Sequence, residues 1–319
     1  MMLCGTHSAK KEAPRIMEAR LFRTLNDLIL QVAHPRRKRV IFCDHWIVLV
    51  SLWATLQRRP TCWACQPQNW PAQALDGREL PSGSTMSRRL RTVGVQQLLG
   101  RVQTKLADLF PDTLVKELDT KPLIVGGYSQ DRDATRGHVY GKDKARGYKI
   151  GALSMGVAIK HWTLAGLNVN DQVLGATLLT GGLTHDRGCF GGRGGYCGAD
   201  NGFDANRLHA LAGSLDHQLV TPPRHSNRGV RDRRRNVPQR LRSLDMTDSP
   251  LRACGIHDGF GPAVMRERIN LERGFSQLAF DGLWALPPWV RRPHRVAVCV
   301  ACVIILRLFK LAKKAGLVT

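Results

Sequence analysis

The sequence has few acidic residues and few aromatic ones. Asp and Glu number 25 against 48 Lys and Arg, which leaves a formal charge of +23, and the pI is near 10.4. Such a surface attracts a polyanion, because each basic group that neutralises a phosphate releases condensed counterions. Only four tyrosines and nine phenylalanines occur, and no aromatic ribonucleoprotein motif is visible. DNA is therefore favoured over RNA as the partner.

Long apolar runs are also missing. The two most apolar stretches, 46–56 and 296–306, are about half of the roughly 20 residues that a membrane span requires, so both are predicted to be buried helices. Lys10, Lys11 and Glu12 stand where a secretory signal would need apolar residues, and export is not expected. Nine cysteines at irregular spacing do not indicate a disulfide framework. We expect a cytoplasmic, nucleoid-associated protein without a membrane partner.

The length and the apolar content allow a catalytic domain and a smaller module. A chain of 319 residues that is 43% apolar can bury a substantial core. Near the start, Leu21, Leu25, Leu28 and Ile29 recur at helical spacing. We expect a helical N-terminal region, with capacity to bind DNA, over 1–110, a catalytic domain over 111–310 and a basic tail over 311–319.

From residue 113 the pattern changes to short apolar runs separated by glycine. These runs predict strands over 113–118, 147–153, 157–164, 196–199 and 218–221. Helical patterns lie between or after them, over 171–179, 204–212 and 264–280. The order indicates an α/β fold, a mixed sheet flanked by helices.

Two arginine-rich segments are candidates for phosphate contact. The segment 224–242 carries one acid, Asp232, and is expected to be a mobile loop until it meets phosphate; its candidate contacts are Arg224, Arg233, Arg234 and Arg235. Earlier, hydroxyl residues at 84–87 can cap a helix that presents Arg88 and Arg89. An ordinary solvated amphipathic helix explains that second pattern equally well.

Three acids follow or flank predicted elements. Asp119 and Asp200 stand where strands are predicted to end, and Glu272 lies in a predicted helix. Adjacent strand ends in an open α/β sheet bring distant residues to one crevice. Clustered carboxylates can hold two divalent ions, which stabilise both oxygens of an in-line phosphoryl displacement.

The same stretches carry a family resemblance. Residues 118–127 and 146–150 resemble the first catalytic block of DDE transposases from bacterial insertion sequences. Residues 196–206 are similar to the second block, and 268–275, in which an arginine precedes the glutamate by four positions, are similar to the third. The run 286–291 is also similar to the family's C-terminal end, and the three blocks occur in order.

The resemblance implies an RNase-H-like fold and a metal-dependent DNA-cutting and strand-joining enzyme. Its implied ligands for Mg²⁺ or Mn²⁺ are Asp119, Asp200 and Glu272, and Arg268 would contact phosphate beside them. A surface ion pair with Glu272 or Glu267 is the alternative role for Arg268. The implied partners are the terminal inverted repeats of the element and target DNA, with a homodimer in the synaptic complex.

The sequence departs from the family at three positions. Met265, Ala279 and Gly151 stand where many relatives have tyrosine, lysine and histidine respectively. The phosphate-gripping role of the missing lysine then falls to other basic residues. The candidates are Arg273, Lys149 and the arginine segment, with Arg146 beside the first block.

Other interpretations stay open. An RNase-H-like nuclease would cut without joining, and a non-catalytic DNA-binding descendant would do neither. Two Cys-x-x-Cys pairs, at 62–65 and 299–302, have zinc-ligand spacing. The His-Asp pairs at 185–186 and 257–258 suit a hydrolase, but no Gly-x-Ser-x-Gly turn accompanies them, and the glycine-rich stretch 181–195 does not match a P-loop.

Overall fold

The structure is a computed structural model that describes residues 22–33, 41–75, 77–139, 143–183, 194–224, 232–247, 260–283 and 285–318. These residues form two compact units. The helical unit comprises the described residues up to Leu109 and those from Trp289 onward, and the sheet unit comprises the described residues from Phe110 to Pro288. The expected catalytic region 111–310 thus takes in a C-terminal helix that the structure groups with the helical unit.

Ten helices and six strands lie in the described residues. The helices are α1 (22–32), α2 (Asp44–Leu56), α3 (Ala72–Leu75), α4 (Gly83–Arg89), α5 (Val93–Ala107), α6 (Asp171–Leu183), α7 (Asn206–Ser214), α8 (Pro238–Thr247), α9 (Phe260–Leu278) and α10 (Pro293–Lys314). The strands are β1 (Val115–Ile124), β2 (Thr135–His138), β3 (Lys144–Met155), β4 (Ala158–Gly166), β5 (Gly195–Ala199) and β6 (His217–Val220). Short 3₁₀ turns occur at Trp63–Cys65, Pro67–Asn69 and Asn201–Phe203, and a π-helix at Ala279–Leu283 continues α9.

The helical unit is built around the two most apolar runs of the sequence. Both are buried helices, as predicted: α2 and α10 pack against each other and against α5. Beside α2, the rings of Phe22, Trp46, Trp53 and Trp70 form one aromatic cluster, with Trp53 stacked on Trp70 at 5.1 Å between centroids. Within the described ranges no helix is long and apolar enough to cross a membrane.

The sheet unit has an RNase-H-like arrangement of strands. Strand β1 pairs with β3 in antiparallel register and with β5 in parallel register, β4 pairs antiparallel with β3, and β6 pairs parallel with β5. The spatial order β4-β3-β1-β5-β6 is therefore a three-stranded meander followed by two parallel strands. The short strand β2 pairs with the first part of β3. This confirms the mixed α/β fold class expected from the sequence.

Strand β1 is longer than its apolar pattern suggests. Its pairing with β5 ends at Leu118↔Ala199, but its pairing with β3 continues to Ile124↔Gly147. The expectation that the strand ends before Asp119 is therefore wrong. Beyond Leu118, β1 has no β5 partner on that side, and such an edge tolerates Pro122, which lacks an N–H to donate.

The two faces of the sheet carry different helices. Leu118 and Leu153 belong to the apolar core with Leu178 of α6 and Phe203. On the opposite face α9 lies across β1 and β5, and an added Cβ at Gly198 would lie 3.3 Å from the Val264 backbone oxygen. Since side chains alternate along a strand, Asp119, next to Leu118, faces α9.

Candidate active site

The register of β1 and β5 places two of the predicted acids side by side. Leu118 and Ala199 are paired across the two parallel strands, and Asp119 and Asp200 are the residues that follow them. Neighbouring strands are about 4.8 Å apart. As predicted, Asp200 comes directly after the last residue of its strand; Asp119 lies within β1 but at the point where β5 ends.

Asp119 is a mostly buried carboxyl in acidic surroundings. Its Oδ1 accepts a hydrogen bond of 2.7 Å from the Thr120 backbone N–H. Burial, with a smaller contribution from the negative charges of Asp200 and Glu272, raises the pKa of Asp119 to about 7, against the opposing effects of the Thr120 bond and the positive charge of Arg268. Asp119 is therefore within electrostatic reach of both other predicted acids.

Asp200 begins the turn that leaves the sheet. It caps the 3₁₀ turn Asn201–Phe203, and its Oδ1 accepts a 2.9 Å hydrogen bond from the Gly202 N–H. Burial raises the pKa of Asp200, the Gly202 bond and Arg268 lower it, and the neighbouring Asp171 raises it. The turn thus fixes the direction of the Asp200 carboxylate at the end of β5.

Helix α9 contributes the third acid together with its arginine. Arg268 Nη2 donates a 3.0 Å hydrogen bond to Glu272 Oε1, one turn further along the helix. The Arg268 side chain is 19% exposed and that of Glu272 55% exposed. The Arg268 Nε is buried and has no hydrogen-bond partner among the described residues. Arg268 therefore supplies the positive charge that Asp119, Asp200 and Glu272 share.

A fourth acid, Asp171, was not among the sequence candidates. It lies in the first turn of α6, and its Oδ1 accepts hydrogen bonds from Thr120 Oγ1 (2.9 Å) and Lys149 Nζ (2.8 Å). A Cβ added at Gly202 would lie 2.9 Å from Asp200 Oδ1 and 3.5 Å from Asp171 Oδ2, so the two carboxylates flank one point. The sequence feature that could have pointed to Asp171 is an acid at the first position of a helix that follows a strand closely.

A second buried carboxyl lies two residues before Asp119, on the same face of β1. Glu117 accepts a 2.7 Å hydrogen bond from Ser154 Oγ. Burial raises the pKa of Glu117 to about 8; Ser154 opposes that rise, and Glu267 on α9 adds to it. The alternation of β1 places Glu117 on the same face as Asp119, but the sequence pattern alone does not reveal that this acid is buried.

Two predicted DNA contacts from the first block bind within the sheet unit instead. Lys149 Nζ bonds the Val169 backbone oxygen (2.9 Å) and pairs with Asp171 (2.8 Å). The Arg146 guanidinium bonds the backbone oxygens of Ser129 and Asp131 and so fastens the loop between β1 and β2. In this structure both side chains serve the fold, and their contact with DNA stays a prediction.

The arginine segment is partly helical and is anchored by one carboxylate. Residues 225–231 lie outside the described ranges, and 238–242 belong to α8, so the expectation of a loop up to residue 242 is wrong. Asp204, buried, accepts a 2.9 Å bond from the Arg224 N–H and two 2.7 Å bonds from the Arg240 guanidinium. Between these anchors Arg233, Arg234 and Arg235 are exposed.

The remaining predicted DNA contacts differ in whether their guanidinium groups already have partners within the protein. Arg89 pairs with Asp44 at 2.6 Å and donates to the Phe42 backbone oxygen, so its guanidinium joins the start of α2 to α4. Arg88 and Arg273 are exposed. These two can reach a phosphate without breaking an ion pair of the described structure.

The acids fit a hard divalent cation only in part. Mg²⁺ takes one or two protein carboxylates and completes its shell with water and substrate phosphate. Asp119 and Asp200 meet that requirement by their adjacency, although the raised pKa of each carboxyl opposes the ionisation that a ligand needs. Among the described residues, no three His, Cys, Asp or Glu side chains group closely enough to hold a metal ion. Glu272, engaged by Arg268, is therefore not a preformed third ligand.

Zinc gains no support from the cysteine pairs. In the helical unit, Cys299 and Cys302 lie on α10, and burial raises the pKa of both thiols, to about 12 and about 11. Burial also raises the pKa of Cys65 to about 11. Among the described residues, neither pair belongs to a group of three or more His, Cys, Asp or Glu side chains that could hold a metal ion, whereas a structural zinc site takes four ligands. The His-Asp pairs at 185–186 and 257–258 lie outside the described residues.

Packing explains two of the three departures from the family pattern. A Cβ added at Gly151 would lie 2.8 Å from Leu178 Cδ1, so a histidine does not fit under α6. Ala279 is buried in the π-helix, where a lysine would lose its hydration. Met265 is half-buried on α9, and nothing in the structure explains its presence.

Comparisons with known proteins give one distant likeness. No protein-family model matches the sequence, and no curated protein matches it significantly. Among solved structures the chain is similar to a piggyBac transposase, determined by cryo-EM as a synaptic complex with hairpin DNA, at 12% identity and a TM-score of 0.49. The match covers 96% of this chain and 76% of that one. At this distance the likeness carries no function from that protein to this chain.

Proposed function

We propose that this protein is a transposase of the DDE type that cleaves DNA and joins the released 3′ ends to target DNA. The observation that carries the proposal is that Asp119 and Asp200 lie side by side. Each directly follows one residue of Leu118↔Ala199, the last pair between β1 and β5. An RNase-H-like sheet and a formal charge of +23 supply the scaffold and the affinity for a phosphate backbone.

In the proposed reaction, Asp119 and Asp200 hold the divalent cation, Mg²⁺ or Mn²⁺, and Glu272 completes the acidic site. Such an ion, when bound, stabilises the charge that develops on the phosphoryl oxygens and lowers the pKa of water. Asp119 must lose its proton to act as a ligand, and Arg268 favours that loss. Water attacks phosphorus and releases a 3′-hydroxyl; that hydroxyl then attacks a target phosphodiester and displaces its 3′ oxygen.

The proposed substrate contacts lie around this site. On α9, Arg273 is exposed one residue beyond Glu272, and Arg268 lies beside the acids. The exposed turn 233–235, held to the sheet unit through Asp204, contacts further phosphates. We propose the terminal inverted repeats of an insertion sequence as the specific DNA and a homodimer as the form that brings two ends together.

The test is cleavage and joining of labelled duplexes that carry the ends of the element, with Mg²⁺. Asp119→Asn is expected to abolish cleavage, by at least 100-fold, and to bind the ends with an unchanged dissociation constant. The matched control is Asp216→Asn: Asp216 is exposed with φ 58°, a conformation that asparagine tolerates. Full activity of Asp119→Asn would refute the assignment, and cleavage without joining would make the protein a nuclease.

A second candidate, a DNA-binding protein without turnover, is favoured by one observation. Arg268 already supplies positive charge to Asp119 and Asp200, the role that a metal ion would otherwise take. Retained binding of DNA ends with no turnover in Mg²⁺ or Mn²⁺, for the wild type as well as for Asp119→Asn, would select this candidate.

A further inference from the structure

Two arginines from distant parts of the sequence meet at one serine of the helical unit. Arg91 Nε donates a 3.0 Å hydrogen bond to the Ser87 backbone oxygen, and Arg295 Nη2 donates a 3.2 Å hydrogen bond to Ser87 Oγ. Arg91 follows α4, and Arg295 lies in the first turn of α10, more than 200 positions further along. All three residues are on the surface, with both arginines exposed.

The sequence on either side of these two arginines contains basic residues and no acids. Positions 80–91 hold three arginines and no acid, and positions 289–298 hold three arginines and no acid. Arg88 is exposed next to Ser87, and the nearby acid Asp44 is already paired with Arg89. In the described part of the chain, no carboxylate forms an ion pair with Arg91 or Arg295.

Guanidinium groups that share a neighbour repel each other unless an anion lies between them. The planar donors of arginine match the oxygens of phosphate, and a phosphodiester carries one charge that two such groups can share. A DNA backbone presents these anions at regular spacing, so it suits a surface on which several arginines are exposed.

We infer that Arg88, Arg91 and Arg295 form a DNA phosphate-binding surface on the helical unit, centred on Ser87 and completed by the start of α10. We name it the Ser87 surface. The sequence predicted Arg88 and Arg89 as the DNA contacts of this unit. Arg89 already pairs with Asp44, so the proposed surface contains Arg295 and not Arg89. The inference rests on the proposed function only in taking DNA as the partner, and it does not depend on the catalytic acids.

The first test measures the salt dependence of binding to a duplex of fixed length. Each lost phosphate contact reduces the slope of log K against log salt by about 0.9. Arg91→Gln with Arg295→Gln is therefore expected to lower the slope by about 1.8. The control is Lys313→Gln with Lys314→Gln, which removes the same charge from exposed positions about 27 Å further along α10 and should leave the slope unchanged.

A slope that stays the same in the arginine variant, or that falls equally in both variants, would overturn the inference. Both pairs are measured in the full chain and again with Asp119→Asn present. Because binding is read without cleavage, failure of the catalytic proposal would leave this result intact.

A second variant keeps the test decisive if the arginine variant folds poorly. Ser87→Asp places a carboxylate between the two guanidiniums, where the phosphate would lie. It is expected to raise the melting temperature, because it relieves their repulsion, and to weaken DNA binding at least tenfold. A change that leaves both the melting temperature and the affinity as in the wild type would contradict the Ser87 surface.

Discussion

Arg268 Nη2 donates a hydrogen bond of 3.0 Å to Glu272 Oε1 on the same face of α9. The guanidinium also lowers the pKa of Asp119 and of Asp200, while burial and the neighbouring acids raise them. Arg268 therefore favours ionisation of both proposed metal ligands, against the larger opposing effect of burial. This relationship makes the pH dependence of cleavage a test of the site.

The rate of DNA cleavage should rise as the pH increases through about 7, the pKa to which burial raises Asp119, because the ionised carboxylate is the ligand. Arg268→Gln removes the stabilising charge and should move the midpoint upward by about one pH unit. Arg273→Gln, which removes the same charge from the exposed side of α9, should leave the midpoint in place whatever it does to the rate. A midpoint that does not respond to Arg268→Gln would show that Asp119 does not control the profile.

The burial of Asp119 should cost the fold stability at high pH. The folded-state pKa of about 7 lies above the ordinary value of 3.8 for an aspartic acid, so the folded state binds more protons than the unfolded state between these values. Stability therefore falls as the pH rises through that window. Asp119→Asn avoids the cost and should raise the free energy of unfolding by about 1–4 kcal/mol at pH 8, with little change at pH 4. Denaturant unfolding at both pH values measures this; an equal difference at the two would contradict it.

The Asp204–Arg240 pair should be essential to the sheet unit. The Asp204 side chain is 1% exposed and that of Arg240 15%, and Asp204→Asn would leave the arginine buried without its charge partner. We expect a loss of about 3–5 kcal/mol in the free energy of unfolding. The control Asp232→Asn breaks the exposed pair with Arg235 and should cost at most about 1 kcal/mol.

The stabilisation that Asp204 contributes should decrease as the pH falls. Arg240, His209 and the Arg224 N–H together hold the pKa of Asp204 far below its ordinary value, against the opposing effect of burial. The stabilisation from Asp204 is therefore present above pH 4 and is lost as the pH falls toward the folded-state pKa. The difference between wild type and Asp204→Asn should shrink in acid; a constant difference would contradict the ionic nature of the anchor.

The glycine under α6 should be required by packing rather than by chemistry. Gly151→Ala would place a Cβ 2.8 Å from Leu178 Cδ1, and overpacking of this kind costs about 1–3 kcal/mol. In a Leu178→Ala background the space is free, so the same substitution should cost much less. A double-mutant cycle measured by thermal unfolding gives this coupling, and additive effects would refute the steric explanation.

Periodicity was sufficient for most elements of the sheet unit. The predicted strands at 147–153, 157–164, 196–199 and 218–221 and the helices at 171–179, 204–212 and 264–280 correspond to observed elements. Strand β2 was missed because its four residues lack apolar alternation. The extension of β1 past Asp119 was missed because pairing with β3, a contact across the fold, outweighs the polar local sequence and Pro122.

Site residues that follow a strand end could be predicted from the sequence. Site residues whose roles depend on partners far away in the sequence could not. The position of Asp200 follows from a short apolar run and a turn signal. The roles of Asp171 and Asp204 depend on partners more than 20 positions away, Lys149 and Arg240, which one-dimensional patterns do not reveal. For the same reason the sequence did not indicate the ion pair of Lys149 with Asp171; contact of Lys149 with DNA stays a prediction.

The most direct test of the central claim is binding of Mn²⁺ by the protein in the absence of DNA, measured by electron paramagnetic resonance. If Asp119 and Asp200 jointly hold the cation, Asp119→Asn and Asp200→Asn should each weaken Mn²⁺ binding at least tenfold, while Asp216→Asn binds it as the wild type does. Mn²⁺ affinity that is the same in all four proteins would contradict the claim that these two carboxylates form the metal site.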